Sequence, residues 1–390
     1  MNRRTFLVGA SGAMWAGAAP SGRLSVGVIG PGGRGRFLME RFGRDAAVRL
    51  TAVCDVYEPN LEAGLSLAKG GAKAYRHYKE LLSDKNVDIV IIATPEHWHH
   101  QMLLDALAAG KDVYVEKPLC HTPEQGVELM REARNSDRIV QVGMQRRSYP
   151  LYLQARDVRA AGTLGNVRLV RTWWINNSLT GGTDRKLDGP LDWEQWQGPA
   201  PRHPMELGRF RNWRNYRDYA GGIVADQGAH IYDSIHLIRG VGFPMAVNAS
   251  AGRVHSTAGD TPETVVVVAE YPEDFLGVFT INYAGMHYPG RMDQLNQFDG
   301  DEARMDVGRE FLSVYKQADP ETPAITAKGS FDTATDAHIQ NFLECVRTRK
   351  EPNATVEKGF QAALVIHLAN LSLQTGRRIK WNAQTQKAEV

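Results

Sequence analysis

The sequence predicts an α/β chain: a doubly wound parallel sheet on the N-terminal side, then an α+β domain built on an open-faced, mostly antiparallel sheet. Three observations carry that expectation. Short apolar runs alternate strictly with helix-length amphipathic stretches from Leu24 to Gln145, the rhythm of buried parallel strands joined by helical crossovers. After Ser148 the rhythm changes to longer, β-rich runs. The 390 residues, 43% hydrophobic and 23% charged, have ordinary globular composition and suffice for two domains of about 150 residues each. That balance excludes disorder, collagen-like repeats and a disulfide scaffold.

In chain order, the first twenty residues stand apart. Arg3 and Arg4 precede Phe6-Leu7 and an apolar, small-residue run to Ala18, with Ala16-Gly17-Ala18 as a cleavage-like site. The apolar part is about 13 residues, short of the ~20 that cross a bilayer, so no membrane span is expected in the mature protein. The arginine pair followed by Phe-Leu resembles a twin-arginine leader, with a Sec leader as the other reading, and either predicts export to the periplasm or beyond. Strands are then expected at Leu24–Ile29, Leu50–Asp55, Ile89–Ala93, Asp112–Glu116 and Ile139–Gly143. Helices are clearest at His99–Ala109, stopped by Gly110, and at Pro123–Asn135, where Thr122 is a natural N-cap. In the second half, strands are expected at Val167–Ile175, Met245–Ala251, Thr264–Tyr271 and Leu276–Tyr283, with terminal helices at His338–Arg349 and Val356–Thr375.

Charge and cysteine usage narrow the function classes. Lys and Arg total 46 against 44 Asp and Glu, and without Arg3 and Arg4 the body balances at 44 of each. A neutral body has no basis for binding a nucleic-acid backbone, which needs clustered positive charge. Cys54, Cys120 and Cys345 are odd in number and far apart, which indicates neither a disulfide framework nor a zinc site.

Five segments carry chemistry. Gly30-Pro31-Gly32-Gly33-Arg34-Gly35 follows the first strand, and Asp55 ends the second, 25 residues beyond Gly30. Strand, glycine loop, helix, strand and acid together form the fingerprint of a dinucleotide-binding Rossmann unit, with pyrophosphate at the helix N-terminus. Asp55 accepts hydrogen bonds from a ribose diol and repels a 2′-phosphate, so NAD is favoured over NADP. At the end of the third strand, Ala93-Thr94-Pro95 leads into Glu96-His97-Trp98-His99-His100. Thr94 and Pro95 can shape a wall beside the dinucleotide, and His99 or His100 can cap the next helix or reach the site. The i, i+2, i+3 histidine spacing across a turn does not converge, so no metal is expected. Glu116-Lys117-Pro118 closes a strand at the same edge, where an ammonium can donate to a substrate hydroxyl. The fourth segment is Val142-Gly143-Met144-Gln145-Arg146-Arg147. The fifth, Gly221-Gly222 to Asp233, sets Asp226 and His230 one helical turn apart, an arrangement that suits an imidazole base held by a carboxylate.

Together these segments resemble the glucose–fructose oxidoreductase and inositol dehydrogenase family, Gfo/Idh/MocA, over essentially the whole mature chain. The likeness extends to its exported branch through Asp192-Trp193, Trp196-Gly198-Pro199, Phe210 to Arg214 and Gly376 to Trp381. The resemblance implies a Rossmann domain over 21–147 and a substrate and oligomerisation domain over 148–390. It implies catalytic roles for Lys117, Asp226 and His230, and cofactor-lining roles for Gly30, Gly32, Gly35, Asp55, Thr94, Pro95, Glu116 and Gln145, with Gly33, His99 and Lys117 beside them. His230, positioned by Asp226 and helped by Lys117, would take a hydroxyl proton while hydride moves to the nicotinamide. Trp193, Trp213 and Arg214 are candidates to hold a carbohydrate substrate, the alternative for the tryptophans being domain packing. The free sheet face implies a homodimer or homotetramer. An exported enzyme must keep and recycle its cofactor. That leaves two activities open, a sugar oxidoreductase or an NAD-dependent glycoside hydrolase working by transient oxidation, elimination, water addition and re-reduction. The glycosidases of this superfamily carry Thr-His-Gly where this chain has Asp226 to His230.

Overall fold

The computed structural model describes residues 23–177, 186–252, 254, 259–286 and 293–390, so the expected leader over 1–20 lies outside the described residues. Six parallel strands form the first sheet: β1 (Leu24–Ile29), β2 (Val48–Cys54), β3 (Lys73–Tyr75), β4 (Ile89–Ile92), β5 (Asp112–Val115) and β6 (Val140–Val142). Their order is β3-β2-β1-β4-β5-β6. The crossovers are α1 (Gly33–Phe42), α2 (Glu58–Leu67), α3 (Tyr78–Ser83), α4 (His99–Ala108) and α5 (Pro123–Arg134). Continuous apolar runs such as Ile89-Val90-Ile91-Ile92, fully buried, fit a sheet covered on both faces. Thr122 caps α5 through the Gln125 amide as its sequence predicts. The order in which strands are added reverses between β1 and β4, and a doubly wound sheet opens its ligand crevice at that switch point, outside the carboxyl ends of the strands.

The second unit contains α6 (Pro150–Ala160), β7 (Val167–Ile175), α7 (Trp193–Gln197), α8 (Leu207–Arg211) and α9 (Gly222–Arg239). It continues with β8 (Ala246–Ala251), β9 (Thr264–Tyr271), β10 (Phe275–Asn282), β11 (Gln294–Gly300), β12 (Ala303–Gly308), β13 (Phe311–Lys316) and β14 (Ile325–Lys328). The chain closes with α10 (Asp332–Thr348), α11 (Val356–Thr375), β15 (Ile379–Asn382) and β16 (Lys387–Glu389). Ten strands, in the order β14-β13-β12-β11-β7-β10-β9-β8-β15-β16, make one sheet. The pairing is antiparallel except for β7 beside β10, so the sheet is mixed, with the antiparallel character expected of it dominant. Only part of it is anticipated by the expected strands. β11 points Gln294, Asn296 and Phe298 inward, and two polar residues at buried positions erase the alternation that marks a strand. Helix α10 starts at Asp332, before the expected His338, because its first turn is built of short polar residues.

One face of the large sheet is packed and the other is open. Along β9 and β10, Val265, Val267, Phe279 and Ile281 are buried, while Val266 and Leu276 on the opposite face are about two-fifths exposed. Helices α9 and α11 cover the packed face, and both are buried nearly all round, as core helices are. They approach closely at Gly228, where a Cβ would stand 2.5 Å from Ile366 Cδ1. Helix α11 also packs on α5, and His338 of α10 bonds the Val142 carbonyl at 2.9 Å, so both terminal helices brace the first sheet. Helix α9 is thereby set rigidly against the crevice.

Candidate functional site

The carboxyl edge of the first sheet and the start of α9 enclose a cavity of about 880 Å³. Five chain segments far apart in sequence meet there: the glycine loop after β1, Asp55 after β2, Thr94-Pro95-Glu96 after β4, Glu116-Lys117 after β5, and Asp226 with His230 from α9.

The glycine loop is shaped by steric necessity. Gly30 has φ +82°, a left-handed conformation that disfavours a side chain, and its Cβ would press on the Ala93 carbonyl at 3.0 Å. A Cβ on Gly35 would lie 2.2 Å from the Gly30 oxygen, so Gly35 serves helix-to-strand packing and does not line the cavity. Gly33 faces open space, and Gly32 begins α1 without any side-chain cap, which leaves the helix's first amides directed at the cavity. Arg34, beside them, forms a 2.7 Å ion pair with Glu116 that ties the loop to the end of β5. Burial raises the Asp55 carboxyl to about 6, against the pull of the Tyr57 amide, which it accepts at 2.9 Å.

The second half of the site centres on Lys117. Its Nζ donates to Asp226 Oδ1 at 2.6 Å and to the Asp226 carbonyl at 2.7 Å. Arg214 approaches the same carboxylate at 3.6 Å, and Gln227 donates to its other oxygen at 3.0 Å. This corrects the expected pairing. Asp226 and His230 share a helical face, but the carboxylate turns across the domain boundary to Lys117, and among the described residues no hydrogen bond joins it to His230. Burial pushes the Asp226 carboxyl up, yet Lys117 and Arg214 outweigh it and hold the group below its ordinary value. His230 is held well below the usual imidazole value, first by burial and then by Lys117, Arg146, Arg34 and Arg309, so it stands neutral and ready to accept a proton.

Other expected site residues are placed differently. His99 is buried with Nδ1 2.7 Å from the Pro118 oxygen and Nε2 3.0 Å from the Thr94 oxygen; the neutral ring donates to one of these carbonyls and packs between the two loops behind the cavity instead of lining it. His97 and His100 diverge, one to the Trp196 carbonyl and the other to Glu128. Trp213 and Arg214 line the cavity, the guanidinium 4.2 Å above the indole. Trp193 does not. It stacks on Trp196 at 4.8 Å and donates to the His203 carbonyl, which is the domain-packing role.

Two features were missed in the sequence. Glu96, only 2% exposed, lines the cavity and accepts the Gly221 amide at 3.0 Å; its signal was an acid in the short turn after a fully apolar strand, directly behind Thr94-Pro95. The second is a strap over residues 188–216. Leu191 bridges Tyr57, Pro190 accepts from the Glu58 amide, and the Asp192 amide donates to Val56. Phe210 meets Tyr57 edge-on at 5.1 Å, and the Trp196 carbonyl accepts from the Trp98 indole at 2.8 Å. Gln195, Trp196, Phe210 and Arg211 of the strap line the cavity, and the strap's contacts with Val56 and Tyr57 set it beside Asp55.

These residues fit a dinucleotide. An uncapped helix N-terminus over two unobstructed glycines suits a pyrophosphate, and Asp55 stands where a ribose diol is read. Gln145 lines the cavity with a buried Oε1 that has no hydrogen-bond partner, an acceptor a carboxamide donor can satisfy.

Comparison with known proteins agrees with this geometry. Residues 24–144 match the model of an oxidoreductase family with an NAD-binding Rossmann fold, and residues 191–381 match that family's C-terminal alpha/beta domain. Trans-1,2-dihydrobenzene-1,2-diol dehydrogenase of Macaca fascicularis is 30% identical over 208 residues, 53% of this chain and 52% of that protein. Inositol 2-dehydrogenase of Salmonella agona (strain SL483) is 32% identical over 157 residues, 40% and 47% of the two chains. The chain thus spans about half the length of the curated relatives it matches. Among solved structures, levoglucosan dehydrogenase in complex with NADH and levoglucosan superposes with a TM-score of 0.74 at 18% identity, over 92% of this chain and 99% of that one. GenD2 from gentamicin A biosynthesis, in complex with NAD, gives 0.71 at 22% identity, over 93% and 97%. Both show the shared fold.

Proposed function

The chain belongs to the Gfo/Idh/MocA oxidoreductase family, and on that premise we propose that it oxidises a secondary alcohol of a sugar or sugar derivative with a tightly held NAD. One observation carries the reading: Lys117 from the first domain and His230 from the second line the same cavity as the glycine loop and Asp55. When bound there, the nicotinamide supplies a hydride acceptor. The chain's own residues supply the rest. Lys117 spends two of its three N–H donors on Asp226, which orients the ammonium and leaves one for the substrate oxygen. His230, neutral and buried, accepts the hydroxyl proton. Trp213 with Arg214 offers an apolar face and a donor fork, a pairing suited to a sugar ring.

The strap supports cofactor retention. Its position beside Asp55 restricts exchange, as an exported enzyme, the reading the leader suggests, requires. The open face of the large sheet, with Val266 and Leu276 exposed, supports assembly with a second copy.

The test uses the purified mature protein. Denaturation should release NAD, and a panel of sugars and aryl glycosides should then be followed by reduced-nicotinamide absorbance and by released aglycone. Reduction without aglycone release is expected. Aglycone release without net reduction would favour the glycosidase reading, and protein that neither carries nor takes up a nicotinamide dinucleotide would refute the assignment. Lys117→Met and His230→Ala should each lower turnover by about 100-fold or more while dinucleotide binding stays within about threefold. Wild-type turnover in both would remove them from the mechanism.

A further inference from the structure

Glu96 is a buried acid with no cation bonded to it among the described residues. It lines the reaction cavity and sits in the turn after β4, where one carboxylate oxygen accepts the Gly221 amide at 3.0 Å. That amide belongs to the residue that opens α9, the helix carrying Asp226 and His230. The groups that act on Glu96 electrostatically come from each element around it: Asp226 on α9, Lys117 after β5, and Arg214 on the second-domain loop. The Cys120 thiol senses it in turn. Of the two acids in this group, Asp226 has taken both cations as close partners, at 2.6 and 3.6 Å.

This division matters because a dehydrogenase must dispose of a proton. Burial first, and then the charges of Lys117, Arg146, Arg34 and Arg309, oppose a charge on the His230 imidazole, so a proton taken from the substrate does not rest there. Asp226 is committed to its cations. Resting on the dehydrogenase reading, we propose that Glu96 is the residue on which the substrate's hydroxyl proton comes to rest. In the balanced step the carbinol C–H bond breaks and its hydride reduces the oxidised nicotinamide. The O–H bond breaks, its electron pair forms the carbonyl, and the proton ends as the carboxylic acid of Glu96. The nicotinamide ring loses its positive charge as Glu96 loses its negative one, so the buried site keeps its total charge. Burial, then the opposing pull of the Gly221 amide and the push of Asp226, set the free carboxyl at about 7, poised to run the step in either direction near neutral pH.

Glu96→Gln tests this because the amide oxygen still accepts from Gly221 and the volume is kept; an unchanged melting temperature checks the fold. In holoenzyme reduced by its substrate, the infrared difference spectrum against the oxidised form should show a new protonated-carboxyl band in wild type that is absent from Glu96→Gln. The variant should also lose the neutral limb of the kcat–pH profile, with kcat down about tenfold or more and KM within about twofold. An identical band in both proteins, or an unmoved limb in the variant, overturns the proposal. If no alcohol reduces the bound cofactor, the functional reading fails separately. Acid titration of the same two proteins by infrared then decides for Glu96: a wild-type-only carboxyl protonating near pH 7 sustains it as a proton acceptor, and its absence overturns that role.

Discussion

Gly33 and Gly35, two positions apart in one loop, make opposite demands. Gly35→Ala forces its Cβ to 2.2 Å from a backbone oxygen that cannot yield without moving β1 or α1, an overpacking that costs about 1–3 kcal/mol. Gly33→Ala meets nothing within 4 Å. Its melting temperature should match wild type while NAD affinity falls, because the new methyl enters the space left for the pyrophosphate. Calorimetric melting and NAD titration of both variants check the contrast, and equal loss of stability would show the loop to be misread. Asp55→Ala belongs beside them. Removing the carboxylate that would meet the ribose diol should weaken NAD more than NADP, and an unchanged preference would undo the assignment.

At the scale of elements, the strap and α9 decide how the site is held. Phe210 meets two rings edge-on, Tyr57 and, within the strap, Trp196; of these only the Tyr57 pair, worth about 0.5–1.5 kcal/mol, ties the strap down, so Phe210→Ala should accelerate cofactor release by up to about tenfold without unfolding the protein. Stopped-flow displacement of bound NAD measures this, and an unaltered release rate would mean that the strap is no lock. Helix α9 is anchored by the nearly sealed Arg147–Asp233 pair. Asp233→Ala leaves a buried guanidinium unpaired at a cost of about 3–5 kcal/mol, readable as a lower denaturant midpoint. What was legible in the sequence divides at this scale. The glycine loop, Lys117 and the α9 acid and imidazole were readable because each sits within a few residues of a clear strand end or on a single helical turn. The Lys117–Asp226 bond joins residues 109 apart, and local spacing instead offered Asp226 the nearer His230. Trp193 and Trp213 look alike as tryptophans in a polar loop, and only packing separates the one that stacks on Trp196 from the one that faces the cavity. β11 hid because buried glutamine and asparagine stand where a strand usually shows apolar residues.

For the molecule as a whole, burial of histidines governs the response to acid. His97 and His338 are lowered to about 4 and His236 and His367 to about 3, in each case first by burial, and His99, His121 and His230 are lowered as well. In the unfolded chain these groups take up protons near pH 6.5, so below that value the unfolded state binds more protons than the native one and native stability falls. Four acids act in the opposite sense, burial raising Asp233 and Asp306 along with the two in the cavity. Burial raises Glu96 to about 7 and Asp55 to about 6, so they hold protons in the native state that the unfolded chain releases above about pH 4, a contribution that favours the fold in acid and is lost as pH rises. Seven imidazoles outnumber these four carboxyls. The melting temperature should therefore decline from about pH 6.5 downward and go on declining to about pH 4, where His97 and His338 begin to charge within the fold. His367→Phe removes one such group from a wholly buried position on α11 and should flatten the acid slope by about one proton in the linkage plot. Thermal melts across this range, wild type against variant, measure both slopes. A melting temperature level from pH 7 to pH 5 would mean that these imidazoles are not held neutral, and with them would fall the argument that His230 meets the substrate as a base.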